Sequence, residues 1–147
     1  MKKSFSLVFV VLVIIFIVLF MRFKSLKDRN YEVMNFNSDY EIFNNDKING
    51  LDITTVMHKA ISNNDKYSVK KDSEGYYDLE DTDCVEIYVS MTVDDSGKTK
   101  TYRMESFNKV GMQSFIASFA DASFKCTNVE YYKSTGKIKS MTFELLD

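Results

Sequence analysis

Residues 84–93, CVEIYVSMTV, decide how the rest of the chain is read. Val85, Ile87, Val89, Met91 and Val93 alternate with Glu86, Tyr88, Ser90 and Thr92, the period of two expected of a half-buried β-strand. One face predicts a core, and the other faces water or a partner. Downstream, DDSG at 94–97 predicts a turn and 98–105 a returning strand, with Tyr102 and Met104 in phase. Ser106 is placed to cap a helix over 107–120. Its Phe107, Val110, Phe115, Ile116 and Phe119 form one apolar stripe, and Gly111 marks a close helix–sheet contact. The chain then predicts a hairpin, 124–133 and 137–145, around Ser134, Thr135 and Gly136. Setting Lys133 against Lys137 puts Tyr131 opposite Lys139, Val129 opposite Met141 and Thr127 opposite Phe143.

Upstream, 78–83 (DLEDTD) reads as a solvated acidic loop, without the glycine and closing glutamate of a calcium-binding EF-hand. Residues 67–70 and 75–79 predict two short strands around the turn at 71–75. Before them lies the best soluble helix. Asp52 is its N-cap, and Ile53, Val56, Met57, Ala60 and Ile61 share one face, with the end at Asn63 and Asn64. No strand–helix alternation of parallel type occurs. The expected domain is therefore α+β, an antiparallel sheet packed on two helices.

The N-terminal part obeys a different solvent. Residues 5–21, FSLVFVVLVIIFIVLFM, carry one hydroxyl and no charge, between Lys2-Lys3 and Arg22. As a helix this run covers about 25 Å, close to the roughly 30 Å apolar core of a bilayer. A cleaved secretory signal is the competing reading, but the run lacks a small-x-small cleavage site and its far flank is Arg22-Phe23-Lys24. An uncleaved membrane anchor is expected. Counting flanking Lys and Arg slightly favours a cytoplasmic C-terminal domain. The basic start leading straight into an apolar helix favours the opposite, with residues 30–147 outside the cytoplasm, and that orientation is preferred. Three regions follow: 1–29, anchor and basic collar; 30–48, a partly helical stalk with Val33, Phe36, Tyr40 and Phe43 on one face; and 49–147, the extracytoplasmic α+β domain.

Composition narrows the function classes. The 147 residues have net charge −2, so there is no global basic field for nucleic acid. Cys84 and Cys126 permit one disulfide outside the cell or two free thiols inside. His58 is the only histidine and falls on the polar face of its helix. Neither a nucleophile–base pair, a glycine-rich phosphate loop nor a zinc-type spacing can be assembled, so no catalytic, cofactor-binding or metal-binding residue is assigned.

Residues 36–41 (FNSDYE), Gly50, the helix over 53–64 and the closing TGKI at 135–138 resemble small single-pass membrane proteins of uncharacterised function from AT-rich Gram-positive bacteria. That resemblance implies an envelope protein and carries no known active site. In outline only, anchor, stalk and sheet are similar to type IV pilins. The glycine before the apolar run and the glutamate five residues into it, which those proteins carry, are replaced here by Ser4, Ser6 and an uncharged run. The expected role is a membrane-anchored, non-catalytic envelope protein that contacts the lipid bilayer and another envelope protein or itself. A pilin-like assembly subunit is the alternative, and a small enzyme using the carboxylates of 78–83 trails both.

Overall fold

A computed structural model describes residues 2–92 and 98–146. The expected turn at 94–97, Val93 and the side chain of Val110 lie outside the described residues. The chain divides into two compact units, Met1–Asn35 and Phe36–Asp147.

The first unit is helical, part of α1 (Lys2–Glu41). Between Phe9 and Met21 every side chain is exposed, from 41% at Val13 to 69% at Phe16. Each large apolar side chain gains about 1.5–3 kcal/mol on leaving water. A surface of this kind is stable only in an apolar surrounding. Among the described residues this is the one helix long and apolar enough to cross a membrane, which is consistent with single-pass anchoring.

The second unit is α+β, as expected. In chain order it comprises the end of α1, β1 (Ile48–Asn49), α2 (Gly50–Lys66), β2 (Glu86–Thr92), β3 (Thr99–Arg103), α3 (Met104–Val110), α4 (Met112–Phe119), β4 (Ser123–Tyr131) and β5 (Ile138–Leu145). The five strands form one sheet in the order β1-β4-β5-β2-β3. Three of the four pairings are antiparallel; β2 and β5 run parallel, with Ile87 opposite Met141 and Val89 opposite Phe143. The sheet is therefore mixed rather than wholly antiparallel. A parallel pair needs a long crossover, and here β3, α3, α4 and β4 together supply it. A period of two is the same for either direction, so periodicity cannot report this.

Several element ends differ from expectation for local reasons. Asn49, not Asp52, caps α2: Asn49 Oδ1 accepts from Asp52 N–H at 2.9 Å, and Asp52 Oδ2 accepts from Asn49 N–H at 3.3 Å. Asp52 thus completes a capping box instead of opening the helix. α2 also runs past Asn63 and Asn64 to Lys66. The single helix expected over 107–120 is two, broken at Gly111 with φ 100. A Cβ on Gly111 would meet nothing within 4 Å, so that glycine is needed for its backbone and not for close packing. Close packing belongs to Gly50, where a Cβ would stand 1.9 Å from the Phe119 carbonyl oxygen. The strands expected at 67–70 and 75–79 reduce to one bridge, Lys71 to Tyr77.

The closing hairpin keeps Val129 opposite Met141, as expected. Irregularities either side shift the rest: Cys126 faces Phe143, and Tyr131 faces Ile138. Gly136 adopts φ 74, the positive value its loop demands.

The core holds Ile53, Val56, Met57, Val85, Ile87, Val89, Met104, Phe124, Ile138, Met141 and Phe143, all fully buried. Tyr40 and Phe43 join it. The expected stalk is corrected accordingly: α1 continues unbroken to Glu41, and 36–48 are part of the folded unit. Of the apolar residues read as a stalk face, Phe36, Tyr40 and Phe43 pack on the core.

Candidate functional site

Residues singled out in the sequence have separate fates. His58 is exposed on α2. Cys84 and Cys126 are both buried free thiols; of the two states the sequence permits, the disulfide is not made. Cys126 is in register with Phe143, and Phe143 with Val89, which places Cys126 two strands from β2, about 10 Å across the sheet. Cys84 lies before β2 begins, further displaced along it, and a disulfide needs Cα atoms within about 7 Å. Burial, then the nearby Glu86 carboxyl, pushes the Cys84 thiol up to about 12, so it is protonated and unreactive at neutral pH.

The acidic run serves turns. Asp78 and Asp81 accept from the backbone N–H groups of Glu80 and Asp83, each at 3.0 Å. Asp83 pairs with Lys137 at 2.6 Å. Tyr132 closes the loop from beneath, its hydroxyl donating to the Asp81 carbonyl at 2.6 Å. Among the described residues no group of three or more metal-ligating side chains gathers.

Residues 36–41 and 135–138, both singled out in the sequence, meet. Asn37 Nδ2 donates to the Gly136 carbonyl at 2.9 Å, and Asn37 Oδ1 accepts from Ile138 N–H at 2.9 Å. Lys137, between them, places its ammonium 5.4 Å from the centre of the Phe36 ring. FNSDYE and TGKI form one structural joint between the helix and the hairpin turn.

The surface richest in binding chemistry surrounds Tyr76. Asp72 Oδ1 accepts from the N–H groups of Glu74 and Tyr76, both at 2.9 Å, and Gly75 turns at φ 83. That turn delivers two successive tyrosines to opposite sides. Tyr77 is buried, and its hydroxyl donates to Asp65 Oδ1 at 2.7 Å. Burial and this bond raise the Tyr77 pKa, and the same bond lowers that of Asp65. Tyr76 stays half-buried, with the Lys109 ammonium 3.6 Å and the Arg103 guanidinium 4.9 Å from its ring centre. Lys100 stands 4.9 Å from the Tyr102 ring, and Lys71 4.3 Å from that of Tyr77. Two open depressions share Tyr76 and Arg103. One, of about 500 Å³, reaches Lys70, Lys71 and Asp78. The other, of about 420 Å³, reaches Lys100, Tyr102 and Ser106.

Arg103 is held rigidly from behind. Its Nε and Nη2 donate to Glu86 Oε2 at 3.0 and 2.6 Å, and Nη2 also donates to Glu105 Oε1 and the Tyr77 carbonyl, each at 3.0 Å. Burial first, and the adjoining Glu105 second, push the Glu86 carboxyl up to about 8. The period-two reading placed Glu86 and Ser90 on a face toward water or a partner, yet both are buried. The only sequence signal was a glutamate in a strand beside an arginine that ends the next one. Cations fixed over aromatic rings at the rim of shallow openings suit recognition of an anionic or aromatic group.

Compared with known protein families, curated proteins and solved structures, the chain matches none.

Proposed function

We propose that this is a membrane-anchored envelope protein whose folded unit acts outside the cytoplasm as an interaction module rather than an enzyme. One observation carries the reading: a helix whose apolar side chains are exposed on every side precedes a self-contained domain that carries the cation–aromatic cluster at Tyr76. Bilayer insertion accounts for the first, and recognition of a partner for the second. The sequence resemblance to small single-pass membrane proteins of uncharacterised function supports the membrane-anchored part of this reading. The 40-residue α1 favours a second one, a pilin-like assembly subunit whose helix packs against copies of itself.

The two differ in what the apolar helix must do. An anchor tolerates exchange of residues 7–21 for an unrelated transmembrane helix; a packing helix does not. Retained function, with crosslinks from position 101 in the native membrane to a different protein that vanish in Tyr76→Ala, is the expected result. Self-crosslinked ladders and loss of function on the exchange support the assembly subunit instead. A phosphatase-type reporter fused after Asp147 tests orientation, and activity there is expected.

A further inference from the structure

Glu86 and Glu105 come from different elements, β2 and α3, yet both accept from the same Arg103 nitrogen, at 2.6 and 3.0 Å. Their side chains are only 1% and 5% exposed. Because both accept from Arg103 Nη2, the two carboxyl groups are neighbours around one guanidinium. One guanidinium balances one carboxylate, so two ionised carboxylates would leave a buried charge without compensation.

The hydrogen bonds single out one atom. Glu86 Oε2 takes Arg103, and Glu86 Oε1 takes the Met104 N–H at 3.3 Å. Glu105 Oε1 takes Arg103 and the Tyr77 N–H at 2.8 Å. Glu105 Oε2 is buried with no partner. A buried, ionised oxygen is not left stranded without cost, and a shared proton removes both the orphan and the excess charge.

We propose that Glu86 and Glu105 share one proton at neutral pH through Glu105 Oε2, so that with Arg103 they are buried as a net-neutral triad. Among the described residues, Arg103 is the one cation paired with either carboxyl. Tyr88, Cys84 and Asp81 face this region, and so do Tyr77 with its partner Asp65, and Asp72 beside Arg103. All are acids. Lys109 and Lys71 are engaged over the rings of Tyr76 and Tyr77.

The sign follows from where the proton is held. The folded chain keeps it up to about 8, whereas the unfolded chain releases it near the ordinary value of 4.5. The triad's contribution to stability is full below the lower value and declines as pH rises between the two. Above the upper value both states are ionised and the dependence ends.

The test uses the full chain in detergent micelles, with denaturant unfolding followed from pH 5 to pH 9. The parent's folded-to-unfolded ratio should lose up to about tenfold per pH unit inside the window, the slope of one proton. Glu105→Gln copies the protonated form: its oxygen can keep Arg103 and Tyr77 while its NH₂ donates toward Glu86. That variant should match the parent at pH 5, lack this slope and exceed the parent at pH 8. Equal slopes in parent and variant, or a variant weaker at every pH, overturn the proposal. Infrared spectroscopy of the parent alone gives an independent check. A carbonyl band of a neutral carboxylic acid is expected at pH 7 and should disappear above pH 9; its absence at pH 7 also overturns the proposal.

Discussion

The two units use the same apolar residue types in opposite ways. Phe9 and Phe16 in the first are 64% and 69% exposed, while Phe124 and Phe143 in the second are completely buried. The hydrophobic effect acts equally on all four. In the first unit the apolar surround must come from outside the chain; in the second it is built by a sheet, α2, and the α3–α4 pair. Stability of the first is thus a property of its environment, and stability of the second a property of its own packing.

Substitutions should separate these two regimes. The largest effect is expected for Phe143→Ala, which empties the centre of the sheet's inner face and should cost about 3–5 kcal/mol. Phe16→Ala should leave unfolding of the second unit unchanged. Denaturant titration of both variants in micelles, followed by tyrosine fluorescence, makes the comparison; equal losses would show that the units do not stand apart energetically.

Asn64→Ala comes next. The Asn64 side chain behaves as an extra piece of strand, donating to the Val85 carbonyl at 2.9 Å and accepting from the Val85 N–H at 2.8 Å. Removing it strands two buried backbone groups, at about 1–3 kcal/mol each. Hydrogen exchange at Val85 should accelerate along with the global loss; unchanged protection there would refute the assignment.

Gly50→Ala should cost about 1–3 kcal/mol, because the new methyl meets the backbone of Phe119 and not a side chain that can turn away. Gly111→Ala tests the other kind of glycine. Its cost, about 1–3 kcal/mol, arises from a backbone conformation that lies outside the left-handed helical region and suits glycine alone. Gly111→Asn should therefore cost about as much as Gly111→Ala, whereas Gly50→Asn should cost more than Gly50→Ala. Matching behaviour at the two sites would erase the distinction.

The smallest effect belongs to the exposed pair of Lys59 and Asp39, 3.1 Å apart. Asp39→Asn should change stability by no more than about 1 kcal/mol, and less in high salt. A larger loss would mean that the end of α1 is held by charge and not by Tyr40 and Phe43.

How much of this was legible depends on what each signal measures. Apolar alternation found β2, and three-four spacing found α2, because both report which side of an element meets a core. The same spacing found Phe36, Tyr40 and Phe43 but assigned them to a stalk, since periodicity names a face without naming what covers it. Glu86 was misplaced for a related reason: a polar residue in the outward phase looks solvated until another element is laid over it. Arg103 and Glu105 follow one another closely in the sequence, but their partner on β2 is set by strand pairing.

By itself, then, the sequence determined the composition-driven features of this protein. A run of uncharged apolar residues must leave water whatever else the chain does, and local spacing, with turn residues at 134–136, settles α2, β2 and the closing hairpin through short-range sterics and hydrogen bonds. Only the tertiary structure decided the parallel pairing of β2 with β5, the joint of Asn37 with Gly136 and Ile138, the separation of the two cysteines, and the burial of two carboxyls around one arginine. Each joins residues distant in the chain, and their energies depend on desolvation and on geometry between elements, which no local pattern encodes.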